Sequence, residues 1–101
     1  MLVAFSIAPS SEEPDGGVSE AVARAVGIVR ASGLPNHTDS MFTTLEGEWD
    51  ECMDVIKRAC EAVQVASPRV SLVLKADIRP GYTGQLDAKV ERVEARLAES
   101  N

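Results

Sequence analysis

Residues 41–51 read MFTTLEGEWDE. The first five are β-branched or apolar, as in a strand, and Glu46 ends the run. At Gly47 the period changes. Glu48, Asp50 and Glu51 crowd what would be the first turn of a helix, where the dipole favours negative charge. From there Trp49, Cys52, Met53, Ile56, Ala59, Cys60 and Val63 fall along one helical side. The stretch is therefore a strand, 41–46, running into a helix that Ser67-Pro68 stops.

Upstream, 34–40 (LPNHTDS) is a polar strand with a turn at Asp39-Ser40, so 34–46 reads as a hairpin. Residues 2–8 (LVAFSIA) are a first strand and 9–17 (PSSEEPDGG) a loop. Residues 18–32 carry Val18, Val22, Ala25, Val26 and Val29 at helical spacing, with Glu20 and Arg24 paired outside, and Gly33 closes the helix. Downstream, 69–78 (RVSLVLKADI) is the strongest strand. RPGYTG is a turn, and 85–98 is a last helix bearing Leu86, Val90, Val93 and Leu97. The order is β-α-β-β-α-β plus a C-terminal helix. Strand–helix–strand twice around a hairpin predicts an α+β, ferredoxin-like βαββαβ sandwich with an extra C-terminal helix, over a single domain of residues 1–101.

Alternation then assigns faces. With Val3, Phe5, Ile7, Leu72 and Leu74 toward the helices, Leu2, Ala4, Ser6, Val73 and Lys75 lie on the opposite face. Met41, Thr43 and Leu45 are expected to join that open face, and Phe42, Thr44 and Glu46 to face the helices. An open face this apolar predicts self-association.

The bulk numbers narrow the function. The 101 residues carry a net charge of −6. No basic face is visible, which disfavours nucleic acid. No apolar run is long enough to span a membrane, and no basic residue precedes the N-terminal apolar run, so no signal peptide is read and a cytoplasmic location is expected. Cys52 and Cys60 are separated by roughly 12 Å of helix rise, too far to bridge. With one histidine, His37, there is no zinc pattern. No nucleophile, metalloprotease or phosphate-loop motif occurs, and no enzymatic activity and no metal are expected.

Glu46 is the unusual residue: a carboxylate ending an apolar strand. A buried carboxylate must be paired or hydrogen-bonded. It either accepts backbone amides or a nearby cation, or it holds a donor-bearing or cationic ligand. Ser6, Thr43 and Thr44 are strand hydroxyls that could orient ring nitrogens. Phe42 and Trp49 are core residues or an aromatic wall for a flat ring. Lys75, Asp77 and Arg79 alternate along the last strand as a salt-bridge ladder or an anion contact.

Ser6-Ile7 followed by Pro9, the SGL of 32–34, the run M-x-T-x-L-E-G-E-W-D-E from Met41 to Glu51, and RV…LK-x-D-x-R from Arg69 to Arg79 resemble the small thiamine-binding-protein family. The resemblance covers almost the whole chain, and EGEWDE is its specific part. It implies a ferredoxin-like fold, a homodimer or homotetramer, no reaction, and thiamine or its hydroxymethylpyrimidine part as ligand. Carried over, Glu46 meets the aminopyrimidine or the thiazolium, Thr43 and Ser6 supply hydrogen bonds, and Phe42 or Trp49 contacts the ring. Phe42 stands where many members have glycine, and Asn36 where many have an aromatic. Phe42 therefore either fills the pocket or stacks on its occupant. The other reading of the chain is a structural or regulatory homo-oligomer whose small-molecule site is vestigial or different.

Overall fold

A computed structural model of the chain describes residues 1–10 and 19–100. The 9–17 loop and Val18 of the sequence reading lie almost wholly outside those residues. The described elements are β1 (Leu2–Pro9), α1 (Ser19–Ala31), β2 (Asn36–Thr38), β3 (Thr43–Glu46), α2 (Trp49–Gln64), β4 (Val70–Asp77) and α3 (Gln85–Glu99). The strands form one antiparallel sheet in the order β2-β3-β1-β4. This is the ferredoxin-like sandwich that the element order predicts, with α3 as the added helix.

Directly opposed strand residues share a face. Val3 lies opposite Leu45 and Ala76, and Phe5 opposite Thr43 and Leu74. Val3, Phe5 and Leu45 meet Ala21, Ala25 and Val29 of α1 and Cys52, Val55, Ile56, Ala59 and Val63 of α2 in one core. Gly33 closes α1 with φ +79°, the left-handed conformation that suits glycine. The two cysteines are free.

Three expectations are corrected. Thr43 and Leu45 do not lie on the open face: they are buried beneath the helices, at 7% and 0% exposure. Glu46 and Thr44 take the opposite face. A slip of one residue exchanges the two faces, and burying Leu45 while leaving Glu46 outside the apolar layer is the cheaper choice. Met41 belongs to the turn and is exposed. Trp49 is not part of the core stripe of α2; it is 54% exposed, and Val55 takes the inward position. Leu72 and Leu74 keep the expected face, opposite Ile7 and Phe5, and are more than a third exposed there because β4 is an edge strand.

The hairpin turn is built by Asp39. Its Oδ1 accepts the amides of Met41 and Phe42 at 2.8 and 2.9 Å, and its own amide donates to the Phe42 carbonyl at 2.9 Å. Those bonds from Phe42 and Met41 hold the Asp39 carboxyl below its usual range. The folded-state value is depressed, so this stabilisation is present above the unfolded value of about 3.9 and is lost as pH falls through the folded one. Hairpin amide protection measured from pH 5 to pH 2 is expected to fall below about pH 4, and Asp39→Asn to remove most of that acid dependence. An identical acid profile in the variant would place the titrating group elsewhere.

α3 has no buried residue. Among the described residues its contacts with the body lie in its first turns, where Gln85, Leu86 and Ala88 are half-buried, on the cross-strand row formed by Glu46, Leu2 and Asp77. The molecule measures 50 × 32 × 20 Å with a radius of gyration of 15.5 Å, against about 13 Å for a compact chain of this length.

Candidate functional site

α3 begins without a cap of its own. Its N-cap is Gly84, in the left-handed conformation and with no side chain to offer. Serine, threonine or aspartate usually fills that role. Here Glu46 does so from across the chain: Oε2 accepts the Gln85 amide at 2.9 Å and Oε1 the Leu86 amide at 3.1 Å. The carboxylate is 7% exposed and faces the positive end of the helix dipole. One turn on, the Lys89 ammonium donates to the Asp77 carboxylate, which holds the Asp77 carboxyl below its usual range.

Glu46 also lines a cavity of about 430 Å³ at this end of the sheet, within the usual size for small-molecule sites. Leu34 and Pro35 form one apolar wall; Leu86, Tyr82 and Gly84 form another. Four acidic residues line it, Glu46, Glu48, Glu51 and Asp87, against one cationic group among the described lining residues, the Met1 ammonium, which donates to the Gly47 carbonyl at 2.6 Å. Behind them the Cys52 thiol is pushed up, mainly by burial; the Met1 amino group opposes, and Glu51, Glu46 and Glu48 add to the rise. Beyond Tyr82 lies a smaller cleft of about 150 Å³ with Trp49, Ile78 and Pro80 on its walls. Arg79 sits there, its guanidinium carbon 3.6 Å from the Tyr82 ring centroid.

The sequence-derived site residues are not gathered into one place. Ser6, Phe42 and Thr43 line a crevice of about 250 Å³ between β1, α1 and the hairpin, together with Val22 and Val26. There Phe42 is part of the wall, and the Thr43 hydroxyl is 3.1 Å from that of Thr38. Glu46 lines the end cavity, and Trp49 lies in the cleft beside it. Since β1 pairs Phe5 with Thr43 and Leu2 with Glu46, the crevice and cavity are about 10 Å apart along the strands. The sequence reading missed Leu34, Pro35, Tyr82, Leu86 and Asp87. RPGYTG before an amphipathic helix was the available signal, because a turn that returns the chain to the sheet end can close a cavity there.

A four-stranded antiparallel sheet, two covering helices and an acid-lined end cavity define an α+β sandwich with room for a small molecule. The family model described as thiamine-binding protein matches residues 3–94, and the chain belongs to that family. A UPF0045 protein of Mycobacterium bovis is 51% identical over 98 residues, covering 96% of this chain and 94% of its own length. The solved structure of a hypothetical protein from Methanocaldococcus jannascii superposes with a TM-score of 0.82 at 28% identity, over 92% of this chain and 94% of that one. A Thermotoga maritima protein whose proposed role is thiamine biosynthesis or salvage gives a TM-score of 0.77 at 25% identity, over 91% and 96%.

Proposed function

We propose that the chain is a non-catalytic binding protein for thiamine or a thiamine-related pyrimidine, and that the occupant sits in the end cavity beside Glu46. The observation that carries this reading is the cavity's combination of apolar and aromatic walls with four carboxylates. A cationic heterocycle loses little by entering such a site, because its charge meets opposite charge while its ring covers apolar surface. Each Glu46 oxygen that accepts an amide keeps a second lone pair for a ligand donor. Family membership and the thiamine role proposed for the Thermotoga relative support the same ligand class.

Thiamine at 100 times its Kd adds about 2.7 kcal/mol of stability, a rise in melting temperature of about 10–20 °C for a domain of this size. Glu46→Gln is expected to weaken binding by about 1–3 kcal/mol, the scale of a lost charge-assisted bond. No thermal shift with thiamine or hydroxymethylpyrimidine would remove the reading, and unchanged calorimetric affinity in the variant would remove Glu46 from the site.

A second reading, a homodimer or homotetramer, is favoured by α3. Val90, Val93 and Leu97 are each more than half exposed, an apolar stripe that a second copy would cover. Light scattering at micromolar concentration distinguishes a monomer from either assembly.

A further inference from the structure

Helix N-termini that open on a cavity are ordinary cradles for phosphate, because their first amides are unpaired and the dipole attracts anions. Two helices start at this cavity: Gly47, Glu48 and Glu51 line it from the α2 side, and Gly84, Leu86 and Asp87 from the α3 side. Yet carboxylates and carbonyls of this chain already take the amides there. Gln85 and Leu86 donate to Glu46. Glu48 donates to Glu51 Oε1 at 3.0 Å, and Gly47 donates to the Met1 carbonyl at 3.1 Å. The nearby cations are also engaged, including the Met1 ammonium, which lines the cavity and donates to the Gly47 carbonyl at 2.6 Å. Lys89 is bound to Asp77, and Arg79 stacks on Tyr82 and lines the neighbouring clefts rather than the cavity.

We infer that the end cavity selects an organic cation lacking phosphate and rejects its phosphate esters, with Glu46 and Glu51 acting as built-in anions at the two helix starts. A phosphate monoester brings about −1.5 to −2 charges at neutral pH. In this cavity it would meet four carboxylates and find the amides of Gly47, Glu48, Gln85 and Leu86 already paired. The inference rests on the function proposed above and names the class of ligand that the site admits.

Isothermal titration of the full chain with thiamine, thiamine monophosphate and inorganic phosphate tests it. Thiamine is expected to bind, the monophosphate to bind at least about 10-fold more weakly, and phosphate not to bind. Raising salt narrows the gap, because the discrimination is electrostatic. Glu46→Gln removes a charge and weakens the hold on the α3 amides, so the ratio of the two affinities moves toward one. Asp87→Asn removes a rim charge and leaves the Glu46–α3 bonds intact; it narrows the ratio without loosening the helix, so the result does not depend on how well Glu46→Gln folds. Equal affinity of the unmodified chain for thiamine and its monophosphate, or binding of phosphate alone, overturns the inference and leaves the proposed function standing. Binding of none of the three overturns the inference, and no binding of hydroxymethylpyrimidine besides removes the proposed function as well.

Discussion

Glu46→Ala is expected to release the start of α3 while leaving the sandwich folded. The carboxylate accepts two backbone amides, at 2.9 and 3.1 Å, and hydrogen bonds to a charged group contribute about 1.5–3 kcal/mol each without adding fully. Gly84 has no side chain to take over as cap. A loss of about 2–3 kcal/mol at the first turn corresponds to roughly 30- to 150-fold faster hydrogen exchange at Gln85 and Leu86. The core amides of α2 and β1 should change little, since α3 buries no residue against them. Exchange measured by NMR gives the answer residue by residue. Unchanged protection at Gln85 and Leu86 would show that the helix start is held by something else.

Leu45→Ala is the opposite kind of change. Leu45 is fully buried, opposite Val3, which is also fully buried. Deleting a large aliphatic side chain there costs about 2–5 kcal/mol, the lost transfer energy plus a cavity that α1 and α2 cannot close. Against a typical total of about 5–15 kcal/mol, that is a large fraction. Urea unfolding should show a lower midpoint with the same slope. Thr44→Ala, one residue away on the other face, should cost less than about 1 kcal/mol. If the two variants ranked in reverse, β3 would present the other set of side chains to the helices.

That comparison marks where the sequence stopped being informative. The element order was legible because the period changes at clear points: at Gly47, at Gly33 and across the RPGYTG turn. Each is a local signal, fixed by glycine, proline and the spacing of apolar residues. The face of β3 was not legible, because both of its parities hold apolar and hydroxyl residues. Only pairing with Val3 and Phe5 on another strand decides between them. Trp49 was misplaced for a related reason: helical spacing puts it in line with Cys52 and Ile56, but α2 begins at that residue, beyond the reach of the core.

The candidate site was legible only in its first residue. Glu46 stood out as a carboxylate where a neutral residue would be easier to bury, and both readings of it named a hydrogen-bonding partner. The amides that it holds lie 39 and 40 residues further along the chain, and no local pattern announces such a pairing. The cavity walls suffer from the same difficulty, since Leu34 lies in the α1–β2 connection, Tyr82 in the turn after β4 and Asp87 in the first turn of α3.

The attachment of α3 has a mechanical consequence. Its 15 residues make a rod about 22 Å long, clamped near one end by Glu46 and Asp77 and joined to β4 through a turn with two glycines at positive φ, Gly81 and Gly84. Such a rod is a lever with a short inner arm. A rotation of about 10° at the clamp carries the far end through roughly 4 Å, more than half the distance between successive turns. Small adjustments of side chains around the end cavity are thereby magnified at Leu97, far from where they occur.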